Sequence, residues 1–172
     1  MLIADQIKQL CDDERLFEVE PLDWRAPKAR RIYVSPDVHR FLTTGSADRV
    51  VNEERRSLQA LFDQFISGDP IAVALEPTSM GTDIKRLSPP DAEVWEFKIK
   101  RRRLHFRVFG RFAQLNVFVG LTGPVDRSGL DYPSEIVRCQ QEWQRLFEPL
   151  LPLFGEREND YIYPNGISLR DP

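Results

Sequence analysis

Two cysteines, two histidines and a balance of charge tipped slightly to the acidic side remove several kinds of chemistry from this 172-residue chain. Cys11 and Cys139 lie far apart and in no metal-ligand spacing, so neither a disulfide framework nor a zinc site is expected. Buried or free thiols in a reducing cytoplasm are the expectation instead. His39 and His105 have no second His or Cys at ligand spacing, and a histidine-dependent triad would rest on one of them alone. The chain has no glycine-rich phosphate loop, no dinucleotide fingerprint and no Gly-x-Ser-x-Gly elbow. No cofactor is therefore expected. Its apolar runs fall well short of the roughly 20 residues of a membrane helix. The opening Met1-Leu-Ile-Ala-Asp-Gln-Ile-Lys8 lacks the basic and apolar regions of a secretory signal. With 24 Lys and Arg against 27 Asp and Glu, the net charge of −3 argues against binding nucleic acid by overall charge.

What the chain does have is pattern. Three runs alternate apolar and other residues with period two: Val94 to Lys100, Leu104 to Phe112 and Leu115 to Leu121. In the first, Trp95, Phe97 and Ile99 share one face and Glu96, Lys98 and Lys100 the other. In the second, Leu104, Phe106 and Val108 oppose His105, Arg107, Phe109 and Arg111. Paired as a meander, with turns at Arg101–Arg103 and Ala113-Gln114, these strands gather basic groups on one sheet face. From Glu93 to Arg111 there are seven Lys and Arg against two Glu, a net of +5, which leaves −8 for the rest of the chain. A local patch of this kind suits phosphate capture, although a solvated sheet face carries the same residues.

The flanks read mostly as helix. Leu2 to Leu10 is amphipathic, and Asp12 to Lys28 is an irregular arm with Pro21 and Pro27. Arg31 to Ser35 reads as a short strand, and Ser35-Pro36 caps a helix that runs to about Thr43. Ser46 or Asp48 starts the next, with Leu58, Leu61, Phe62 and Phe65 as its apolar stripe and Gly68-Asp69-Pro70 as its stop. Ile71 to Leu75 fits a strand or a buried turn. Gly123-Pro124 opens a loop to Pro133, and a last helix that starts at Ser134 or in the turn before it buries Ile136, Val137, Trp143, Leu146 and Phe147 before Pro149 breaks it. The tail from Gly155 has no clear period.

The order strand, helix, helix, three-stranded meander, helix resembles the RelE/ParE toxin superfamily, and within it the HigB-like, phage-associated branch. The residues behind the resemblance are Glu93-Val-Trp-Glu-Phe-Lys-Ile99, His105-Phe-Arg-Val-Phe109, Val117-Phe-Val-Gly-Leu121 and Tyr132-Pro-Ser-Glu-Ile-Val137. It covers roughly 31–148, between an arm at 1–30 and a tail at 149–172. The fold it implies is α+β: a small antiparallel sheet, the meander plus a short N-terminal strand, with helices packed on one face.

The resemblance also implies an activity. Such toxins are metal-independent, cofactor-free endoribonucleases that cut messenger RNA, often on the ribosome, and are neutralised by an antitoxin protein. By position, Arg107 would hold the scissile phosphate, and Lys98 and Lys100 would offset its developing charge. Arg127 would add a further cation and Tyr132 would position a base or the leaving group. Arg101, Arg102, Arg103, His105 and Arg111 complete the expected RNA-binding surface, His105 being of the residue type that exchanges protons near neutrality. The chain departs from the pattern in its acidity and in having Thr122-Gly-Pro-Val-Asp-Arg127 where paired lysines are usual. The alternative reading is a catalytically inactive, phage-derived or regulatory binding protein on the same fold. Its arm and tail would cover the sheet or mediate homo-oligomers.

Overall fold

In the computed structural model, which describes residues 1–99 and 105–168, the helix signals act where the sequence places them. Helix α1 is Ile3–Asp12, and α2 is Pro36–Thr43, with the Ser35 hydroxyl accepting from the Val38 N–H. Helix α3 is Arg49–Ser67, capped by the Asp48 carboxylate on the Val50 and Val51 N–H groups. It ends at Gly68, whose φ of +84° is left-handed and whose missing Cβ would lie 2.7 Å from that of Ala29. Helix α4 is Tyr132–Phe147, starting two residues before Ser134, and α5 is the single turn Glu158–Tyr161.

The strands overturn the expected sheet. Among the described residues eight strands form one mixed sheet: β1 (Phe17–Glu18), β2 (Arg31–Val34), β3 (Ile71–Ala74), β4 (Ile84–Arg86), β5 (Trp95–Lys98), β6 (Phe106–Gln114), β7 (Val117–Asp126) and β8 (Gly166–Ser168). Their order is β1-β2-β7-β6-β5-β4-β3-β8. The meander β5-β6-β7 lies at its centre and is antiparallel, but β2 joins β7, β4 joins β3 and β8 joins β3 in parallel. A small antiparallel sheet with helices on one face is therefore not the fold. The arm contributes β1 and the tail contributes β8.

Both faces of the sheet are covered by helices, because both carry apolar side chains. One face packs Trp95, Phe97, Val108, Phe112 and Phe118 against Val38 and Leu42 of α2 and Leu58, Phe62 and Phe65 of α3. Phe97 meets the rings of Phe62 and Phe65 edge-on, at 5.3 and 5.6 Å between centroids. The other face packs Phe109, Val117, Val119 and Leu121 against Ile7 and Leu10 of α1 and Ile136, Trp143 and Phe147 of α4. Each fully buried side chain of this size adds about 1.5–3 kcal/mol of transfer free energy. Val137, expected in that core, is half exposed. Among the described residues no helix is long and apolar enough to cross a membrane.

The turn between β6 and β7 falls at Leu115-Asn116, two residues beyond Ala113-Gln114, with Asn116 supplying a φ of +64°. Gly123-Pro124 does not open a loop. It is a bulge inside β7, where Val125 pairs with Arg107 and Thr122 with Phe109. A Cβ on Gly123, whose φ is +108°, would stand 2.6 Å from the Arg107 carbonyl oxygen, so only glycine fits this approach.

The two thiols are separate and unlike. Cys139 on α4 is wholly buried, and that burial pushes its thiol up to about 12 despite the pull of Arg111. Cys11 is partly exposed and is also raised, first by burial and then by Glu18 and Asp12. At pH 8 the native protein is expected to expose one slowly reacting thiol to a colorimetric thiol reagent, and two in denaturant. Two fast thiols in the native state would show that α4 does not pack as described.

Candidate functional site

The outer ends of β4, β5 and β6 and the start of α4 enclose a pocket of about 630 Å3. Pairing places its polar groups in two rows across the sheet. Lys85 of β4 lies opposite Glu96 of β5, and Lys98 of β5 lies opposite Arg107 of β6. Period two puts all four on the face away from Trp95 and Phe97. The chain enters β6 at His105, whose carbonyl accepts from the Arg127 N–H at 3.0 Å, so the loop after β7 is tied beside it. Tyr132, the first residue of α4, closes the pocket with its ring edge-on to Phe109 at 6.1 Å.

Glu96 is the organising group. It is 1 % exposed, and three neighbours hold its carboxylate. The Tyr132 hydroxyl donates to Oε2 at 3.1 Å, the Arg107 Nε is 3.5 Å from the same oxygen, and Lys85 Nζ is 3.8 Å from Oε1. A buried carboxylate needs such partners, because losing water uncompensated costs several kcal/mol, about the strength of a broken buried pair. Arg107 is itself 6 % exposed. One of its terminal nitrogens donates to the carbonyls of Phe106 at 3.3 Å and Ile99 at 3.5 Å. Burial first, and then the Glu96 charge, raise the Tyr132 phenol above its ordinary value, with Arg107 pulling the other way. Tyr132 is accordingly a neutral hydroxyl poised between a carboxylate and the cavity. Among the described residues, four cations (Lys85, Lys98, Arg107 and Arg127) line the pocket against this one carboxylate.

Five of the residues singled out in the sequence meet here: Lys98, His105, Arg107, Arg127 and Tyr132. Arg111 does not. It points beneath α4, donates to the Ala92 carbonyl at 2.6 Å and the Glu93 carbonyl at 3.4 Å, and stacks over Trp143. It is 8 % exposed, so it serves the packing of α4 rather than a basic surface. Lys100, Arg101, Arg102 and Arg103 lie outside the described residues. Sequence reasoning missed Glu96, Lys85 and Ser79, which also lines the pocket. Glu96 carried a signal, as the one acidic residue on the outward face of the basic first strand. Lys85 and Ser79 lie in a stretch without period and carried none.

The arrangement can hold an anion, relay a proton through Tyr132 to Glu96, and donate one from His105. Among the described residues no three His, Cys, Asp or Glu side chains come together as a metal-ligand group. Compared with family models, curated proteins and solved structures, the chain matches none.

Proposed function

We propose that this pocket binds the phosphodiester backbone of RNA and that the chain is a toxin-type, metal-independent endoribonuclease acting on messenger RNA in the cytoplasm, restrained by an antitoxin-like partner. The observation that carries the reading is the meeting of Lys98, Arg107 and Arg127 with the Tyr132–Glu96 hydrogen bond and His105 in one cavity. In the proposed reaction the 2′-oxygen bonds to phosphorus and the bond from phosphorus to the 5′-oxygen breaks. The 2′-hydroxyl proton passes to Tyr132 as the phenol proton passes to Glu96, and His105, protonated beforehand, gives a proton to the departing 5′-oxygen. Lys98, Arg107 and Arg127 offset the extra charge on the phosphoryl oxygens. The products are a 2′,3′-cyclic phosphate and a 5′-hydroxyl.

One feature favours the alternative of a binding protein without catalysis: the Arg107 guanidinium is committed to Glu96 and to two backbone carbonyls. The two readings part on products. Incubated with a short single-stranded RNA in chelator, a nuclease yields fragments ending in cyclic phosphate, whereas a binding protein yields a salt-sensitive complex and intact RNA. Each phosphate contact contributes about −0.7 to the slope of log affinity against log salt. Replacing Arg101, Arg102 and Arg103 together by alanine is expected to make that slope about two units shallower. Binding that ignores salt in the unaltered chain would refute RNA recognition through phosphates.

A further inference from the structure

The pocket has two unlike walls. The sheet wall carries its charges, whereas the facing wall is the uncharged run Thr78-Ser79-Met80-Gly81, between β3 and β4. Ser79 on this second wall is 2 % exposed, yet its Oγ has no hydrogen-bond partner among the described residues. A buried hydroxyl left unpaired costs about 1–3 kcal/mol, and nearly all such groups in folded proteins are satisfied. Met80, the next residue, is the opposite case: an apolar side chain 85 % exposed at the mouth of the same cavity. The segment itself is fixed at its base, since the Ser79 N–H donates to the Glu76 carbonyl at 3.1 Å and the Asp83 carboxylate accepts from the Ala72 N–H at 3.0 Å.

A ligand that suits both walls has an anionic group on one side and, on the other, an uncharged unit with an apolar face and hydrogen-bonding edges. A nucleotide has that form. We propose that the 78–81 wall reads the base next to the phosphate held by Lys98 and Arg107. Ser79 exchanges a hydrogen bond with the base edge, and Met80 covers the base face with its polarizable thioether. This assignment rests on the RNA-binding reading above and adds to it a source of sequence preference that the cations lack, because phosphate contacts carry no sequence information.

The test is fluorescence anisotropy of the full chain with four homopolymeric RNA oligonucleotides of equal length, 2′-O-methylated so that they cannot be cleaved and with a constant phosphate count. The unaltered protein is expected to prefer its best base over its worst by about fivefold or more, the worth of one neutral hydrogen bond. Ser79→Ala is expected to compress that range to within about twofold while leaving the salt slope unchanged. Met80→Ala, at an exposed position that cannot unfold the core, is expected to weaken all four ligands by about threefold, a modest stacking loss. An unaltered protein without base preference, or a Ser79→Ala variant with the same ranking and range, overturns the assignment and leaves phosphate binding intact. An unaltered protein that binds none of the four overturns both.

Discussion

Replacing Glu93 by alanine is expected to lower the unfolding free energy by about 3–5 kcal/mol, the largest loss of stability foreseen for any single side chain here. Glu93 is 3 % exposed and lies at the centre of a buried network that joins three parts of the chain. Its carboxylate accepts from the Tyr161 hydroxyl at 2.7 and 2.8 Å to its two oxygens, from Arg86 at 3.3 Å and from the Trp95 indole N–H at 3.4 Å. The Tyr161 hydroxyl in turn accepts from the Gly155 N–H at 2.7 Å, which fixes the tail against the sheet. Burial, followed by the Glu93 hydrogen bond and charge, holds the Tyr161 phenol far above its ordinary value, so it remains a donor throughout the accessible pH range.

Alanine at 93 would leave the Arg86 guanidinium buried without its carboxylate. The backbone contributes nothing to the difference, because Glu93 has a φ of +50° and alanine, which also has a Cβ, bears the same left-handed strain. Glu93→Gln keeps an acceptor for Tyr161 and loses only the charge, so it is expected to cost about 1.5–3 kcal/mol, the worth of a charged hydrogen bond. Urea unfolding at neutral pH measures both. Equal losses in the two variants would show that the charge is immaterial, and a loss below about 1 kcal/mol in Glu93→Ala would show that the network does not hold the tail.

The meander was legible because the nine- and ten-residue strands β6 and β7 leave room for several alternations, and four-residue β5 continues the same pattern, so that Trp95, Phe97 and Val108 fall on the face their spacing implies. Strands β1, β4 and β8 were not legible, since two or three residues carry no period. The error over the second face has a specific source. Phe109, Val117, Val119 and Leu121 are apolar on the side opposite Val108 and Phe118, and apolar residues on both sides of a strand mean that both faces are covered. That signal also explains why Arg111 left the expected basic surface: once α4 lies on this face, the Arg111 guanidinium is buried against Trp143. Amphipathic α1 and α4 needed a surface to cover, and this is it.

The largest expected effect on activity belongs to Arg107. Its replacement by alanine is expected to slow RNA cleavage about a hundredfold or more, corresponding to the roughly 2.7–4 kcal/mol lost when one donor to a developing charge is removed. Expression of the unaltered chain is expected to slow growth, and that of the variant to be tolerated. Alanine alone is an insufficient test, because Arg107 also supports Glu96, and an orphaned carboxylate at 1 % exposure could unfold the site. Arg107→Lys separates the two roles. A lysine keeps a positive charge near Glu96 and so preserves the fold, but its single ammonium cannot hold Glu96, the Phe106 and Ile99 carbonyls and a phosphate oxygen at once, as the separate nitrogens of a guanidinium can. If Arg107 acts on phosphate, both variants are slow while Arg107→Lys retains the native circular dichroism and melting temperature. If it serves only the packing of Glu96, Arg107→Lys is as active as the parent, and the catalytic role assigned to it is wrong.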